Sequence, residues 1–327
     1  MEAGQRIFVT GASGFIGGAL ARELAVTHRV LAMSRSQASD AAIGRLGAEP
    51  VRCDLDTLEP GALPACDAVV HCAARVEPWG SREEFWRANV EGTDRVLVAA
   101  RAAGARRFLH LSTEAVLWRG QHLRDVDETY PYPERTPYLY AETKAEAERR
   151  VLAANADGFA TIALRPRFVW GPGDTTLVPE IRKMAERGAF VWLDGGRART
   201  STTHIANLVR GAVLALANGR GGECYFVTDG EVSDFRTFVT RLLAAHGVTL
   251  PDRSLPGWLA RPAAIAVEGV WRALRISGQP PLVRHAVDLL CCDCVLRDDK
   301  ARRELGYAPV VCVERGLAEL AAAASPR

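Results

Sequence analysis

The sequence has almost no net charge and no long uninterrupted run of apolar residues. Its 41 basic residues are balanced by 39 acidic residues, which leaves a formal charge of +2 over 327 residues. Such a balance lacks the basic footprint that binding to nucleic-acid phosphates requires. A continuous apolar stretch of about 18 residues, which a membrane-spanning helix needs, is also missing. We therefore expect no nucleic-acid partner and no spanning helix.

The most apolar segment of the chain is residues 258–276. It is interrupted by Arg261, Glu268, Arg272 and Arg275. A helix packed in a small lobe is the favoured interpretation. Contact with a membrane surface or with a partner protein is the alternative.

The eight cysteines show no paired pattern for a metal or for disulfides. Cys291, Cys292 and Cys294 contain one C-x-x-C spacing, with His285 nearby, but a zinc site normally needs a second pair of ligands. We expect no metal site and a reduced protein with free thiols. A strand is already predicted from residue 6, which leaves almost no room for a targeting segment. Cytoplasmic localisation is therefore expected.

Up to about residue 165, short apolar runs alternate with helical patterns. This alternation predicts βαβ units and a mainly parallel sheet with helices on both faces. Strands are predicted at residues 6–10, 29–33, 51–53, 68–71, 107–111 and 161–164, with a late strand at 223–227 returning to the sheet. Helices are predicted at residues 82–103, 137–154, 177–187, 205–217 and 235–246.

A glycine-rich turn follows the first predicted strand directly. Gly11 permits a tight turn, Gly14 lets the backbone approach a pyrophosphate, and Gly17 lets the next helix pack on the sheet. The helix N-terminus presents free N–H groups to the phosphates. The turn therefore predicts a dinucleotide site on a Rossmann-type, doubly wound α/β fold of about seven strands. The residues predicted to form it are Gly11, Ser13, Gly14, Phe15, Ile16 and Gly17.

The spacing G-x-x-G-x-x-G resembles that of the extended short-chain dehydrogenases/reductases, which read TGxxGFIG. The resemblance continues through RPRFVWGPGD at residues 165–174, THIANL at 203–208 and KARRELGYAP at 300–309. It implies that residues 1–165, with 200–230 returning to them, bind the cofactor. Residues 166–199 and 231–327 would form a smaller C-terminal substrate lobe. The further cofactor contacts that it implies are Asp54, Leu55, Cys72, Ala73, Ala74 and Pro166.

The end of the second predicted strand distinguishes between the two nicotinamide cofactors. An NAD site usually has an acidic residue there, which accepts hydrogen bonds from the ribose hydroxyls. This chain has Ser34 and Arg35 instead. Arg35 can pair with a 2′-phosphate and Ser34 can hydrogen-bond it, whereas a solvated loop arginine is the alternative. NADP(H) is therefore favoured over NAD(H).

Tyr140 and Lys144 lie four residues apart in a predicted helix, so their side chains share one face. A free tyrosine has a pKa near 10, and a nearby ammonium, with the oxidised nicotinamide cation, lowers that value. Tyr140 can then donate a proton to a ketone oxygen or take one from an alcohol. Lys144 should also hold the nicotinamide ribose. Tyr138 is rejected as the catalytic tyrosine, because Glu142 at its i+4 position would raise its pKa.

The family resemblance implies two more site residues. Thr113 lies three residues before Val116, which is the family's position for the hydroxyl that hydrogen-bonds the substrate oxygen. Ser112 is the alternative. Asn89 matches the family's Asn-Val-x-Gly-Thr helix, where it would order a water and the Lys144 region in a proton relay. Its alternative role is to bend the helix.

Two features indicate a branch of the family. The segment Glu77-Pro78-Trp79-Gly80, followed by Phe85-Trp86, resembles the 3β-hydroxysteroid dehydrogenase branch, which includes reductases of long-chain β-keto acids. Trp and Phe residues in the apolar lobe suit a hydrophobic substrate, although most tryptophans are core residues. They are Trp170, Phe190, Trp192, Trp258 and Trp271.

The expected function is thus NADP(H)-dependent interconversion of a ketone and a secondary alcohol on a hydrophobic substrate. A dehydratase would need Thr-Asp-Glu, and Ala115 stands where that glutamate belongs. A sugar-nucleotide epimerase, with Arg197 and Arg199 on a diphosphate, remains an alternative, as does a non-catalytic NADP-binding sensor. The resemblance also implies a homodimer through the helices at 82–103 and 137–154.

Overall fold

The computed structural model describes residues 3–77 and 79–324. The strands are β1 (Arg6–Thr10), β2 (Arg29–Ser34), β3 (Glu49–Arg52), β4 (Ala68–His71), β5 (Arg107–Leu111), β6 (Leu123–Val126), β7 (Ala160–Pro166), β8 (Val169–Trp170), β9 (Trp192–Leu193), β10 (Arg199–Ser201), β11 (Thr203–His204), β12 (Glu223–Val227), β13 (Val232–Asp234), β14 (Ser254–Leu255) and β15 (Cys294–Leu296). The helices are α1 (Phe15–Leu24), α2 (Gln37–Gly44), α3 (Arg82–Trp86), α4 (Gly92–Ala102), α5 (Leu139–Ala153), α6 (Leu177–Glu186), α7 (Ile205–Asn218), α8 (Phe235–Ala245), α9 (Gly257–Ala273), α10 (Arg284–Cys291), α11 (Asp299–Leu305) and α12 (Val313–Ala324). A π-helical turn, Arg87–Glu91, joins α3 to α4.

A seven-stranded sheet in the order β12-β7-β5-β4-β1-β2-β3 forms the centre of the molecule. All of its strand pairs are parallel. Helices cover both faces, so the inner strands are apolar throughout, as Ile7, Phe8 and Val9 illustrate. On one face Leu20 and Leu208 pack on the sheet, and on the other Val96 does. The predicted doubly wound, Rossmann-type fold is confirmed.

Differences between the predicted and observed elements lie at their ends and on the edge of the sheet. The strand predicted at 51–53 is β3, which begins at Glu49 and contains Pro50. Pro50 is tolerated because β3 is an edge strand that pairs only with β2. The helix predicted at 137–154 begins at Leu139, because Tyr138 is still extended, with φ −104° and ψ 114°.

The lobe next to the sheet has its own small cores. A second sheet in the order β13-β10-β15-β6 lies there, and its strands, of three or four residues each, were not predicted. Trp170 and Phe238 centre one cluster, and Ala260, Ala264 and Val287 join α9 to α10. No helix within residues 3–77 and 79–324 is both long enough and apolar enough to cross a bilayer. The predicted domain limits stay a prediction, and residues 1–2 and 325–327 fall outside the described part of the chain.

The strand order reverses between β1 and β4, which are neighbours in the sheet. Loops that leave the carboxyl ends of such strands turn to opposite faces and open a crevice between them. The glycine turn after β1 and the segment after β4 therefore meet at this point. It is the place where the fold itself favours a bound ligand.

Candidate active site

The glycine turn is packed too tightly for side chains. Gly11 has a φ of +73°, and a Cβ on it would lie 2.9 Å from the backbone nitrogen of Ala73. A Cβ on Gly17 would lie 2.2 Å from the carbonyl oxygen of Gly11. The N-cap of α1, Gly14, offers no side chain to its free N–H groups. These N–H groups and the close backbone approach fit a pyrophosphate.

A chain of buried hydrogen bonds holds the segment after β4 against this turn. The Thr10 hydroxyl oxygen accepts the N–H groups of Cys72 and Ala73, both at 3.1 Å, and donates to Nδ1 of His71 at 2.7 Å. Nε2 of His71 then bonds the Thr93 hydroxyl at 3.0 Å. Burial, with the Lys144 cation nearby, lowers the pKa of His71 to about 3, so the ring is neutral. This network was not predicted from the sequence. Polar residues at the ends of buried strands are the sequence pattern that could have indicated it.

A groove of about 890 Å³ lies along this crevice. Nine residues of the predicted cofactor set line it, namely Gly11, Ser13, Gly14, Arg35, Asp54, Leu55, Cys72, Ala73 and Ala74. The predicted residues that do not line it are Phe15, Ile16, Gly17, Ser34, Tyr140, Lys144 and Pro166. Phe15 to Gly17 start α1 and support the turn instead. The groove fits a dinucleotide in size and in its phosphate cradle.

The second-strand end differs from the prediction in one respect. Ser34 is buried, and its hydroxyl bonds Asp40 at 2.5 Å and Ser39 at 2.7 Å, inside the turn between β2 and α2. Arg35 is instead 76% exposed, with its Nε 3.9 Å from the Asp54 carboxylate. Ser36 lines the groove and caps α2, so its hydroxyl, unlike that of Ser34, lies where a ligand can reach it. The S-x-x-S capping pattern at 36–39 could have indicated this.

Tyr140 sits in the first turn of α5, with Thr113 close to its hydroxyl. Burial and the Glu114 carboxylate raise the pKa of Tyr140 well above its usual value, against a smaller effect of a hydrogen bond with Thr113. The phenol is therefore protonated at neutral pH. The effect of Lys144 and of the nicotinamide cation on this pKa stays a prediction.

Lys144 is fully enclosed behind Tyr140. Its Nζ donates to the carbonyl oxygen of Leu111 at 2.6 Å and to Nε2 of His110 at 3.1 Å. Burial lowers the pKa of Lys144 to about 8, so most of it stays charged at neutral pH. An ammonium has three hydrogens. One of them is left for a further acceptor.

Asn89 lies in the π-helical turn and connects three parts of the site. Its Oδ1 accepts the N–H of Arg75 at 2.7 Å, and its Nδ2 donates to the Arg75 carbonyl and to the Thr143 hydroxyl, both at 3.1 Å. The bend that we gave as the alternative role is present as the π turn. Both amide hydrogens are bonded to protein groups, so Asn89 ties the segment after β4 to the helix of Tyr140.

A buried ion pair beside Thr113 was missed at the sequence level. The Thr113 hydroxyl donates to Oε2 of Glu114 at 2.8 Å, and Oε1 of Glu114 pairs with Arg167. Both charged side chains are buried. Ser112, by contrast, has a buried hydroxyl with no hydrogen-bond partner within the described residues. Thr113 is thus oriented by Glu114, and Ser112 is the uncommitted hydroxyl.

A second cavity, of about 90 Å³, opens beside Tyr140. Trp79, Phe85 and Leu139 contribute apolar surface to it, and Glu268 and Arg272 contribute charge. Of the motif used to assign the branch, Pro78 lies outside the described residues. Neither Arg197 nor Arg199 lines this cavity. The lobe aromatics of the prediction do not line it either, because Trp170, Phe190 and Trp192 are packed in the lobe core and Trp258 is on the surface.

Tyr138 is excluded from acid–base work for a reason other than the expected one. Its hydroxyl donates to Asp288, and burial with that carboxylate raises its pKa far above the usual value. Its ring stacks on Trp118 with centroids 4.8 Å apart. Glu142 pairs with Arg82 at 2.8 Å instead of acting on Tyr138.

Residues 7–227 match the profile of the NAD dependent epimerase/dehydratase family. The chain belongs to this family, which is the extended short-chain dehydrogenase/reductase family of the prediction. A 4-hydroxy-2-methyl-3-oxo-4-farnesyl-3,4-dihydroquinoline-1-oxide ketoreductase of Stigmatella aurantiaca is 44% identical over 316 residues, covering 95% of this chain and 94% of that protein. A 2-alkyl-3-oxoalkanoate reductase of Stenotrophomonas maltophilia (strain K279a) is 39% identical, covering 98% and 99% of the two chains.

Solved structures of the family agree with this fold. The crystal structure of gox2253 has a TM-score of 0.77 and 28% identity, covering 98% of this chain and 97% of that chain. The dTDP-glucose 4,6-dehydratase DesIV of Streptomyces venezuelae, with NAD and TYD bound, has a TM-score of 0.76 and 25% identity, covering 97% and 96%. The family uses nicotinamide cofactors. With reductases among its most similar relatives, this chain is an oxidoreductase of the short-chain dehydrogenase/reductase type.

Proposed function

We propose that this enzyme reduces a ketone to a secondary alcohol on a long-chain, hydrophobic substrate of the 3-oxo acid or prenylated cyclic ketone kind. The observation that carries the proposal is the protonated Tyr140 beside a cavity in which Trp79, Phe85 and Leu139 give apolar walls and charged side chains stand among them. An acid that holds its proton at neutral pH suits reduction, in which the ketone oxygen must gain one. Two relatives named as reductases of such ketones support the same reaction.

Each site residue then has a distinct task. Tyr140 donates its proton to the substrate oxygen, and Thr113 hydrogen-bonds that oxygen, with Ser112 as the alternative hydroxyl. Lys144 uses its remaining hydrogen for the nicotinamide ribose. Asn89 is a positioning residue that holds the helix of Tyr140. NADPH, when bound, supplies the hydride.

Thr113 has to redirect its hydroxyl proton in this scheme. In the structure the Thr113 hydroxyl donates this hydrogen in a hydrogen bond to the Glu114 carboxylate, which is in turn paired with Arg167. The Thr113 oxygen also accepts the N–H of Ala115 at 3.2 Å. A substrate oxygen must therefore compete with the Glu114 carboxylate for one donor. The Ser112 hydroxyl has no hydrogen-bond partner among residues 3–77 and 79–324, so it has no such competitor there and stays in the proposal.

The cofactor is proposed to be NADP(H), held by the glycine turn, Asp54, Leu55 and the segment 72–74. Arg35 and Ser36 would take the 2′-phosphate. We expect Arg35→Ala to weaken NADPH binding by about tenfold to a hundredfold, because a charge-assisted hydrogen bond to the phosphate is lost. NADH binding should change little. Titration of reduced-nicotinamide fluorescence measures both constants.

Arg45→Ala is the matched control for this change. Arg45 is also exposed, but it lies at the end of α2, bonds Ala41 and is outside the groove. Arg35 would not bind the 2′-phosphate if the two variants lost equal affinity for NADPH. The same conclusion would follow if Arg35→Ala lost equal affinity for NADPH and NADH.

The reaction is tested by following NADPH absorbance with a series of 2-alkyl-3-oxo acids of increasing chain length. Burial of about 0.8 kcal/mol per methylene predicts that kcat/KM rises about fourfold per added carbon until the cavity is filled. A nucleotide sugar serves as the contrasting substrate. Conversion of the sugar without net NADPH consumption, together with inert ketones, would favour an epimerase and defeat the proposal.

We further propose that the enzyme is a cytoplasmic homodimer. Each subunit would contain the cofactor-binding domain and the substrate lobe predicted from the sequence. All eight cysteines are free thiols, which supports a reducing compartment. The dimer would form through the continuous helix of α3, the π turn and α4, together with α5. Val98 on α4 is 51% exposed and available for such a contact.

A further inference from the structure

The helix α9 and its flanks hold most of the large hydrophobic side chains that face outward in the described residues. Seven of the 13 such side chains lie within 22 positions of one another. They are Leu255, Trp258, Leu259, Ile265, Val270, Leu274 and Ile276. Trp258, at 72% exposed, and Leu274, at 69%, are among the most open. Single exposed hydrophobics are ordinary on a protein surface, but a contiguous group marks a contact site.

The polarity of α9 is inverted relative to an ordinary surface helix. Its inner positions are small or charged, with Ala260 and Ala264 in contact with α10 and Glu268 buried. At 3.6 residues per turn, positions 258, 262, 265, 266, 269, 270 and 273 share the opposite face, and all of them are apolar. A helix that only packed on the lobe would turn this face inward. The outer face is thus a candidate contact surface.

The charges in α9 and its flanks are mostly positive, and the exposed Asp252 just before this stretch is paired with Arg236. Five arginines occur between residues 253 and 284, and Glu268 is the one acidic residue there. Glu268 is buried and accepts the backbone N–H of Arg284 at 2.6 Å. Arg261 is bonded to Asp288, whereas Arg253, Arg272 and Arg275 are exposed. An apolar face with a basic rim complements an anionic lipid surface better than it complements a second copy of itself, whose rim would be equally basic.

The same helix reaches the active site. Glu268 and Arg272 line the cavity beside Tyr140, and Arg272 lies over Trp79 at 5.1 Å. Any partner that binds α9 therefore binds the helix that forms one wall of the cavity. This cavity adjoins the cofactor groove, since Glu77 lines both.

We propose that α9 is an interfacial helix that docks the enzyme on an anionic membrane surface and lets a lipophilic ketone pass from the bilayer to the cavity. The delivery of substrate rests on the proposed function, whereas the docking does not. The apolar face would lie in the headgroup region, and Arg253 and Arg275 would contact lipid phosphates. A long-chain ketone partitions into lipid, so this arrangement places the cavity where such a substrate is concentrated.

Vesicle flotation tests the docking with the intact protein. Vesicles of phosphatidylcholine alone are compared with vesicles that also contain phosphatidylglycerol. The wild type is expected to bind the anionic vesicles, and binding should fall at least about tenfold in the triple variant Trp258→Gln, Ile265→Gln, Val270→Gln. Arg253→Gln with Arg275→Gln should weaken binding to anionic vesicles and make the remainder less sensitive to salt.

The control variant carries Val26→Gln and Val310→Gln, which remove exposed apolar side chains outside α9, its flanks and the proposed dimer contact. It should bind vesicles as the wild type does, and circular dichroism confirms that all variants are folded. No binding by the wild type, or equal binding by wild type and triple variant, overturns the proposal. A triple variant that halves the molar mass in solution, with no vesicle binding by the wild type, assigns the face to a second copy instead.

Activity assays separate this inference from the proposed function. With a short, water-soluble ketone, the triple variant should match the wild type. With a long-chain ketone supplied in anionic vesicles, its rate should fall with its vesicle binding. Vesicle binding without turnover of any ketone would defeat the proposed function alone, and turnover of ketones without vesicle binding would defeat the docking alone.

Discussion

Replacement of Tyr140 by Phe is expected to lower kcat for ketone reduction by about 10²–10⁴-fold, which is the usual contribution of a positioned general acid. Phe keeps the ring and its packing but removes the proton. The phenol of Tyr140 is the group that burial and Glu114 keep protonated at the edge of the substrate cavity. Since the Tyr140 hydroxyl does not line the cofactor groove, NADPH binding should stay within about twofold of wild type.

The measurement combines steady-state kinetics with NADPH titration, so that loss of chemistry and loss of binding are seen separately. Tyr130→Phe is the matched control, because Tyr130 packs against the same hydrophobic cluster and its hydroxyl accepts a long hydrogen bond, of 3.5 Å, from Gln121. If Tyr140→Phe retained more than about a tenth of the wild-type kcat, Tyr140 would not be the main acid. The hydroxyls of Ser112 and Thr113 would then be tested next.

Removal of Glu148 is expected to lower the free energy of unfolding by about 3–5 kcal/mol, because it leaves Arg165 charged and unpaired in the core. Nε of Arg165 lies 3.1 Å from Oε1 and 3.0 Å from Oε2 of Glu148, and the Tyr132 hydroxyl donates to the same carboxylate at 2.5 Å. Both charged side chains are essentially inaccessible. The pair ties α5, which carries Tyr140 and Lys144, to β7. Urea unfolding of Glu148→Ala measures the loss.

Two further variants test the cause of that loss. The double replacement Glu148→Leu with Arg165→Met should recover much of the stability, since apolar substitutes for a buried ion pair are often neutral. Glu142→Gln, on the same helix, breaks the exposed pair with Arg82 and should leave the unfolding midpoint nearly unchanged. A double variant as unstable as Glu148→Ala would mean that packing, and not the unpaired charge, is the cause.

The sequence by itself determined the parts of this protein that depend on local pattern. Apolar runs of four to seven residues between helical stretches defined the central strands, because a parallel sheet covered on both faces buries every residue of its inner strands. The glycine spacing defined the turn after β1, because Gly11 and Gly17 occupy positions where a Cβ would collide with backbone. The i, i+4 spacing of Tyr140 and Lys144 defined their common helix, though not the environment that shifts their pKa values.

Only the tertiary structure decided what surrounds those residues. Glu114 pairs with Arg167, 53 positions away, and Lys144 bonds groups on β5, 33 and 34 positions away. The hydroxyl of Ser34 turns into its own loop, and Ser36 lines the groove. The apolar side of α9 faces outward although a simple reading of its composition predicted packing. Local sequence specifies which face of a helix is apolar, but the direction of that face and the partners of each buried charge depend on contacts that only the folded chain brings together.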